Sequence, residues 1–202
     1  MEFVELTEKE FQDFVDTQTN KNFFQTVMMK KKLECDHTKV YLVGVKESNK
    51  VIAASLIAET HQKFLGKTTF EAYKGFILDY HNRELLQFMT EKVKEFLKAK
   101  NGLKLVIDPY IPAVSRNMEA EITDDFDNRD IIEYLHTLGY KDSQSEQVKW
   151  TYCLDINGKS SQELFNGFRS STRNNINKTL TKYDLNIRTL TKAELKEFKT
   201  IT

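Results

Sequence analysis

The chain opens with the pattern of apolar and polar positions that is typical of a strand followed by an amphipathic helix. Residues 3–6 are largely apolar and predict a strand. Thr7 and Glu10 then have the spacing of a capping box, in which a hydroxyl and a carboxylate bond the free N–H groups at a helix start. Phe11 and Phe14 lie on one side of the helix, which we predict to extend from the box to Phe14.

The same pattern returns near the end of the chain. Residues 185–190 form a second largely apolar stretch, and Thr191 and Glu194 repeat the capping spacing. Leu195 and Phe198 again mark one side of a helix. We interpret the two copies as the strand and helix openings of two similar domains; a chance match between two common capping boxes is the alternative.

This repeat predicts the domain organisation. A complete first domain is expected over residues 1–155, and residues 156–202 are expected to hold linking helices and the first strand and helix of a truncated second domain. A helix without a sheet leaves its apolar side uncovered. We therefore expect the native gene to continue past Thr202.

Between the two copies the apolar pattern changes period several times. A second helix is predicted over residues 23–33, with Met28, Met29 and Leu33 on its apolar side. The remaining predicted elements are a hairpin of strands 39–46 and 51–58, a strand 68–73, a long helix between Asn82 and Asn101, a buried strand 103–108, an acidic loop 119–127, a helix 129–138 closed by Gly139, and a strand 148–154. This order predicts an α+β or α/β protein with a mixed sheet flanked by helices, the GNAT-type acyltransferase fold.

Composition and charge narrow the classes of function. The 30 basic residues balance the 30 acidic ones, which removes any global electrostatic argument for nucleic acid or anionic lipid. With 40% hydrophobic residues, the chain has enough apolar mass for a core of normal domain size. The longest apolar run has only the length of a strand, and the amino terminus lacks a signal-peptide pattern, so a cytoplasmic location is predicted.

Few residues indicate a metal or a cofactor. Cys35 and Cys153 lie far apart and each histidine stands alone, so neither a disulfide nor a metal site is predicted. Binding of coenzyme A needs a glycine-rich turn, because only small residues let backbone N–H groups close on a pyrophosphate. All seven glycines are isolated from one another. The sequence therefore disfavours coenzyme A, and no cofactor is predicted.

Two segments resemble the paired signatures of the Fem family (FemABX). Residues 71–80, Glu-Ala-Tyr-Lys-Gly-Phe-Ile-Leu-Asp-Tyr, are similar to the family's Tyr-x-Arg-Gly-Pro/Phe element with its following Asp-Tyr. Residues 103–110, Leu-Lys-Leu-Val-Ile-Asp-Pro-Tyr, are similar to its Ile-Asp-Pro-Tyr element. The resemblance covers nearly all of the chain, because segments at 24–27, 51–56, 138–140 and 173–178 fall in the family's order.

This resemblance implies two acyltransferase-like domains and the transfer of an amino acid from aminoacyl-tRNA to the stem peptide of a peptidoglycan precursor. Aminoacyl-tRNA is then the donor substrate in place of a cofactor, and the acceptor is a UDP-linked or lipid-linked muropeptide. Association with the inner membrane face, the oligomeric state, and the identity and position of the transferred amino acid are left open.

The chain departs from the family pattern at several positions. Lys74 stands where the family has Arg, which keeps the charge but loses the bidentate fork. Phe76 stands where Pro is usual. A lysine that the family carries late in the second helix falls near Lys32 or Leu33 in this chain.

Asp108 is the candidate catalytic residue. It ends a predicted strand just before Pro109, a place where a carboxylate can face a cleft and accept or orient the proton of an attacking amine. The alternative is an Asp that caps the turn after Pro109. Lys74 and the preceding Tyr73 are candidates for binding the substrate, with a solvated lysine beside a turn as the alternative for Lys74.

Arg173 and Lys32 complete the candidates for substrate binding. Arg173 shares one helical side with Ile176 and Leu180, so we expect it to point toward protein or ligand, where it could bind a phosphate. An interdomain ion pair is the alternative. Lys32 belongs to a run of three lysines that is otherwise a solvated helix face.

The chain is thus identified as the amino-terminal part of a Fem-like aminoacyltransferase that is inactive by itself. The expected reaction is aminolysis of the aminoacyl ester, which requires no Ser or Cys nucleophile. One alternative is a domain of the same fold that binds a partner or a precursor without catalysis. A third reading is a coenzyme A-dependent N-acetyltransferase.

Overall fold

A computed structural model of the protein describes residues 1–62, 66–117, 119–143, 151–183 and 188–194. The chain falls into two units, Met1–Gln144 and Ser145–Thr202, and each is described by itself. None of the helices in the described ranges is long and apolar enough to cross a bilayer.

The first unit alternates helices and strands. Its elements are β1 (Glu2–Glu5), α1 (Glu8–Thr17), a 3-10 turn (Phe23–Gln25), α2 (Val27–Cys35), β2 (Val40–Glu47), β3 (Lys50–Gln62), β4 (Lys67–Tyr73), α3 (Arg83–Ala99), β5 (Gly102–Asp108), β6 (Val114–Arg116), β7 (Ile122–Asp127) and α4 (Arg129–Thr137). Strands β1 to β5 form one sheet in sequence order, antiparallel except for the parallel pair β4 and β5. The prediction of a mixed sheet flanked by helices is confirmed.

The two faces of the sheet are covered by two separate apolar clusters. On one face α1 and α2 bury residues such as Phe11 and Met29 against Leu42 and Leu56. On the other face α3 buries Leu86 and its neighbours. Because both faces are covered, residues 41–45 of β2 are buried without a break. Each large side chain buried in this way contributes about 1.5–3 kcal/mol to stability.

The local signals identified in the sequence produce the expected structures. Thr7 and Glu10 form the complete capping box of α1, which runs three residues further than predicted. The hairpin between β2 and β3 turns at Ser48 and Asn49, both with positive φ, as tight hairpin turns require. Asn82 caps α3 by accepting a hydrogen bond from the backbone N–H of Leu85.

Three predicted elements differ from the structure. The helix over 23–33 is divided at Thr26, which ends the 3-10 turn and caps α2; Met28, predicted on its apolar side, is 69% exposed. The strand over 103–108 is not buried, because within the described part of the sheet β5 is the last strand, and Leu103 is 55% exposed. The prediction of a loop over residues 119–127 is wrong in part, because Ile122–Asp127 form β7, which pairs with β6.

The predicted strand over 148–154 is only partly covered by the structure. Residues 151–154 form no strand, which contradicts that part of the prediction, and residues 148–150 lie outside the described ranges. The side chains of Tyr152 and Leu154 are exposed, as expected for a segment that does not pair with the sheet.

The described residues of the second unit form two helices and a 3-10 turn. These are α5 (Ser161–Gly167), α6 (Ser170–Lys182) and the turn Lys192–Glu194. The Thr191 N–H and hydroxyl both donate to the Glu194 carboxylate. The hydrogen bonds to the carboxylate of the repeated capping motif are therefore present. Residues 188–190 form no strand. Leu195 and Phe198, the predicted apolar side of the following helix, lie outside the described residues.

Candidate functional site

Lys74 and Asp108 form an ion pair at the carboxyl ends of β4 and β5. These strands are parallel, with Tyr73 opposite Asp108, so both end at the same edge of the sheet. The Lys74 Nζ lies 2.6 Å from the Asp108 Oδ2. The two side chains remain 19% and 32% exposed. The structure thus brings together three of the five candidate residues, Tyr73, Lys74 and Asp108, and leaves the ion pair partly exposed to solvent.

A sharp turn after β4 places the Lys74 side chain. Lys74 has φ +54, a left-handed conformation that is uncommon for residues other than glycine. The Gly75 N–H closes the turn by donating to the Ala72 carbonyl at 3.2 Å. A Cβ atom on Gly75 would come within 2.8 Å of the Gln25 Nε2 and 2.9 Å of the Ser55 Oγ. A larger residue at this position would therefore have to displace the buried Gln25 amide or the Ser55 hydroxyl.

The Asp108 carboxylate is tied to Lys74, not to the turn that follows it. Lys74 is its hydrogen-bond partner among the described residues, so the alternative of an Asp that caps the Pro109 turn does not describe this structure. A carboxylate offers about four acceptor positions, more than one ammonium group occupies. Asp108 can therefore hold Lys74 and also accept a hydrogen bond, or a proton, from an amine.

Aromatic residues surround the turn. The ring of Tyr73 is half-buried and lies 6.0 Å from the ring of Phe24. Tyr80 is buried and its hydroxyl donates to the Phe76 carbonyl at 3.0 Å. Burial raises the pKa of Tyr80 far above its ordinary value. Tyr80 thus stays neutral near neutral pH, and its hydroxyl supports the turn.

Lys32 is not part of this arrangement. Its ammonium group pairs with Asp36 at 2.9 Å on an exposed surface of α2, as a solvated helix face would. The neighbouring Lys30 behaves differently, because its side chain is only 17% exposed and it contacts Glu34 and Glu8. The hydrogen bonds that Lys30 donates to Glu34 and Glu8 raise its pKa. Lys30 joins α2 to α1, which the sequence interpretation of three solvated lysines did not foresee.

Arg173 lies in the second unit, where its guanidinium group binds backbone carbonyl groups. Its Nη1 donates to the carbonyls of Asn166 and Phe168 at the end of α5. A positive charge at a helix carboxyl terminus is favourable because that end carries partial negative charge. The Arg173 side chain is half-buried, and within this unit its contacts are with peptide carbonyls.

Gln25 is the residue of this region that the sequence did not single out. It is fully buried and its side-chain amide bonds the backbone of both β3 and β4. A polar side chain in an apolar segment gives no sequence signal for burial, since exposed glutamines occur in the same pattern.

A separate groove lies along α3 and β5. Its volume is about 330 Å³, and its apolar lining includes Phe70, Leu97, Leu103, Leu105, Leu138 and Tyr140. None of the five candidate residues lines it. In the described part of the chain, no group of three or more His, Cys, Asp or Glu side chains could hold a metal ion.

Comparison with known proteins gives consistent matches along almost the whole chain. The model of the FemAB family matches residues 6–202. The aminoacyltransferase FemA of Staphylococcus epidermidis is 31% identical over 98% of this chain, and FemA of Staphylococcus aureus is 28% identical over the same share. The chain spans about half of these relatives, 49% of their length.

A comparison with solved structures gives a match over the same part of the chain. The crystal structure of FemX superposes with a TM-score of 0.74 at 21% identity, covering 98% of this chain and 48% of FemX. At that identity the likeness shows a shared fold. The match of the family model to residues 6–202 shows that the chain belongs to the FemAB family.

Proposed function

We propose that this member of the FemAB family is the first half of a longer aminoacyltransferase that builds the peptidoglycan interpeptide bridge. The donor is aminoacyl-tRNA and the acceptor is an amine on the stem peptide of a UDP-linked or lipid-linked muropeptide. With these substrates, the reaction is proposed to take place in the cytoplasm. The observation that carries the proposal is the Lys74–Asp108 pair at a sheet edge, in a chain 31% identical to an aminoacyltransferase.

The reaction proposed is a direct aminolysis. The acceptor nitrogen attacks the ester carbonyl carbon of aminoacyl-tRNA, a C–N bond forms, and the C–O bond to the tRNA ribose breaks. The nitrogen loses a proton and the ribose oxygen gains one. An ammonium group is inert as a nucleophile until it is deprotonated, so Asp108 is proposed to orient the amine and accept its proton.

Lys74 is proposed to hold the Asp108 carboxylate in place. The Lys74 ammonium group lies 2.6 Å from that carboxylate, which favours this role over direct binding of the substrate. Tyr73 and Phe24 provide an apolar surface beside the pair on which a substrate side chain could pack.

The proposal is tested with a protein that contains this chain followed by the second half found in its relatives. It is incubated with a set of aminoacyl-tRNAs and a UDP-linked muropeptide, and the stem peptide is analysed by mass spectrometry. We expect a mass increase of one amino acid residue that depends on the charged tRNA. Acetyl coenzyme A serves as the control donor and should give no product.

Two results would contradict the proposal. Acetylation of the muropeptide or another amine by acetyl coenzyme A would favour the N-acetyltransferase alternative. Binding of the muropeptide without transfer from any aminoacyl-tRNA would favour a domain that binds precursor without catalysis. The 202-residue chain alone is expected to give no transfer, because half of a site cannot orient two large substrates.

A further inference from the structure

The side chain of Gln25 is inserted between β3 and β4 at the point where they separate. The last regular pair of these strands is Ala58 with Glu71, and two residues further the same register would place Leu56 opposite Tyr73. Instead, the Gln25 Oε1 accepts from the Leu56 N–H at 2.8 Å. Its Nε2 donates to the Leu56 carbonyl at 3.2 Å and to the Tyr73 carbonyl at 2.7 Å.

This arrangement satisfies backbone groups that would otherwise be buried without partners. A side-chain amide has the same donor and acceptor groups as a peptide unit, so Gln25 replaces Tyr73 as the partner of Leu56. A buried backbone group without a partner destabilises the fold, because it has lost its hydrogen bonds to water. Beyond Gln25 the sheet closes again, because Ala54 and Ile77 exchange two backbone hydrogen bonds of 3.0 and 2.8 Å.

The backbone that carries Gln25 is fixed on both sides. Before it, the Asn22 side chain accepts from the Phe24 N–H at 3.1 Å. After it, the Thr26 hydroxyl caps α2, and the Gln12 Oε1 accepts from the Val27 N–H at 2.9 Å. These bonds leave the amide of Gln25 little freedom to move away from β4.

The separation of β3 and β4 creates the turn that holds Lys74. Three residues, 74–76, leave the sheet between Tyr73, whose carbonyl Gln25 binds, and Ile77, which returns to β3. Gly75 packs directly against the Gln25 amide. The position of the Lys74 backbone therefore depends on Gln25, although the two side chains make no hydrogen bond with each other among the described contacts.

We propose that Gln25 is a positioning residue for the Lys74–Asp108 pair. Gln25 binds the Tyr73 carbonyl and so fixes the end of β4. This fixes the backbone of the next residue, Lys74, whose ammonium group then lies next to the Asp108 carboxylate. Its effect on the geometry of the pair stands without any assumption about the reaction. Its effect on turnover rests on the proposed function.

The geometric part is tested on the 202-residue chain with Gln25→Met, which keeps the volume and removes all three hydrogen bonds. Gln87→Met is the matched control, because Gln87 is exposed on α3 and its amide bonds Glu91 in the same helix. The readouts are the exchange rate of the Leu56 amide and the rate of reductive methylation of Lys74, followed by mass spectrometry. We expect Gln25→Met to raise both rates several-fold and Gln87→Met to leave both unchanged.

A second variant guards against loss of folding. Gln25→Glu keeps the acceptor for the Leu56 N–H and removes both N–H donors, so Lys74 should again react faster. An unchanged methylation rate of Lys74 in a folded Gln25 variant would overturn the proposal. So would loss of cooperative unfolding in both variants, because Gln25 would then serve the fold as a whole.

The turnover part uses the longer protein and a double-mutant cycle. Gln25→Met should lower kcat/KM by about 10- to 100-fold, since a misplacement of 1 Å can cost about 10²-fold. In a Lys74→Met background the same change should have little further effect, because the pair that it positions is already gone. Equal losses in both backgrounds would overturn the positioning role. Absence of transfer by the wild-type protein would refute the proposed function alone, and the methylation result would still decide the role of Gln25.

Discussion

Tyr73 and Asp108 stand opposite each other in the parallel ladder of β4 and β5, and this register brings the next residue, Lys74, over the Asp108 carboxylate. The two strands are connected by α3, so the paired side chains are 34 residues apart in sequence. The pair is built from the last residue of one strand and the first residue of a turn. Its geometry therefore responds to changes in the strand register, the turn and the two charges separately.

Replacement of Asp108 tests its proposed role as an acceptor of the amine proton. In the longer protein, Asp108→Asn should lower turnover by about 10²-fold, the low end for a positioned general base. The melting temperature should change little, because the amide oxygen can still accept from Lys74. Asp79→Asn is the control, since Asp79 accepts from the His81 N–H in a local turn that Asn can also form. Unchanged turnover in folded Asp108→Asn would remove Asp108 from the mechanism.

Replacement of Lys74 separates the effect of its charge from that of its shape. Lys74→Arg keeps the cation beside Asp108 and should retain most of the turnover. Lys74→Met removes the cation and should reduce kcat/KM by about tenfold or more, since hydrogen bonds to charged groups contribute about 1.5–3 kcal/mol. Steady-state kinetics of both variants provide the measurement. Equal activity of Lys74→Met and the wild type would show that the pair is not used.

Gly75→Ala tests the close approach of the turn to Gln25. The added Cβ would lie 2.8 Å from the Gln25 Nε2, so the amide must shift, and we expect a loss of about 1–3 kcal/mol as in other overpacked sites. Gly167→Ala is the control, because a Cβ there meets no described atom within 4 Å. Chemical denaturation of both variants measures the difference. Equal stability of Gly75→Ala and Gly167→Ala would contradict the packing described here.

The capping box of α1 predicts a pH dependence of stability. The Glu10 carboxylate accepts hydrogen bonds from the Lys46 side chain and from the backbone and side chain of Thr7. These bonds, of which that from Lys46 has the largest effect, lower the pKa of Glu10 from 4.5 to about 2. A carboxyl whose pKa is lower in the folded state stabilises the fold above its unfolded pKa, and this contribution is lost as the pH falls through the folded value. Glu10→Gln should therefore lower the melting temperature at pH 7, and the difference from wild type should shrink between about pH 4.5 and 2.

Thermal unfolding at several pH values checks this prediction. Glu2→Gln, at the exposed start of β1, is the control and should differ little from wild type at any pH. A difference between Glu10→Gln and wild type that stays constant down to pH 2 would mean that the ionised carboxylate does not stabilise the helix start.

The sequence by itself determined the features that depend on neighbours a few residues away. The capping box at Thr7 and Glu10 and the cap at Asn82 are local hydrogen bonds, and the same residue spacing produces them in almost any fold. The ends of β4 and β5 were also predictable, because Asp108 is followed by a proline that stops the strand. The family motifs pointed to Lys74 and Asp108 individually.

Only the tertiary structure decided which of these residues meet. Periodicity tells which face of an element a residue occupies, but not which residue of a distant strand stands opposite it, and so neither the Lys74–Asp108 pair nor the separation of Lys32 from it could be predicted. Gln25 illustrates the same limit, because its partners Leu56 and Tyr73 are 31 and 48 residues away. A buried amide has the same sequence pattern as an exposed one, and its role is set by the backbone groups that folding brings to it.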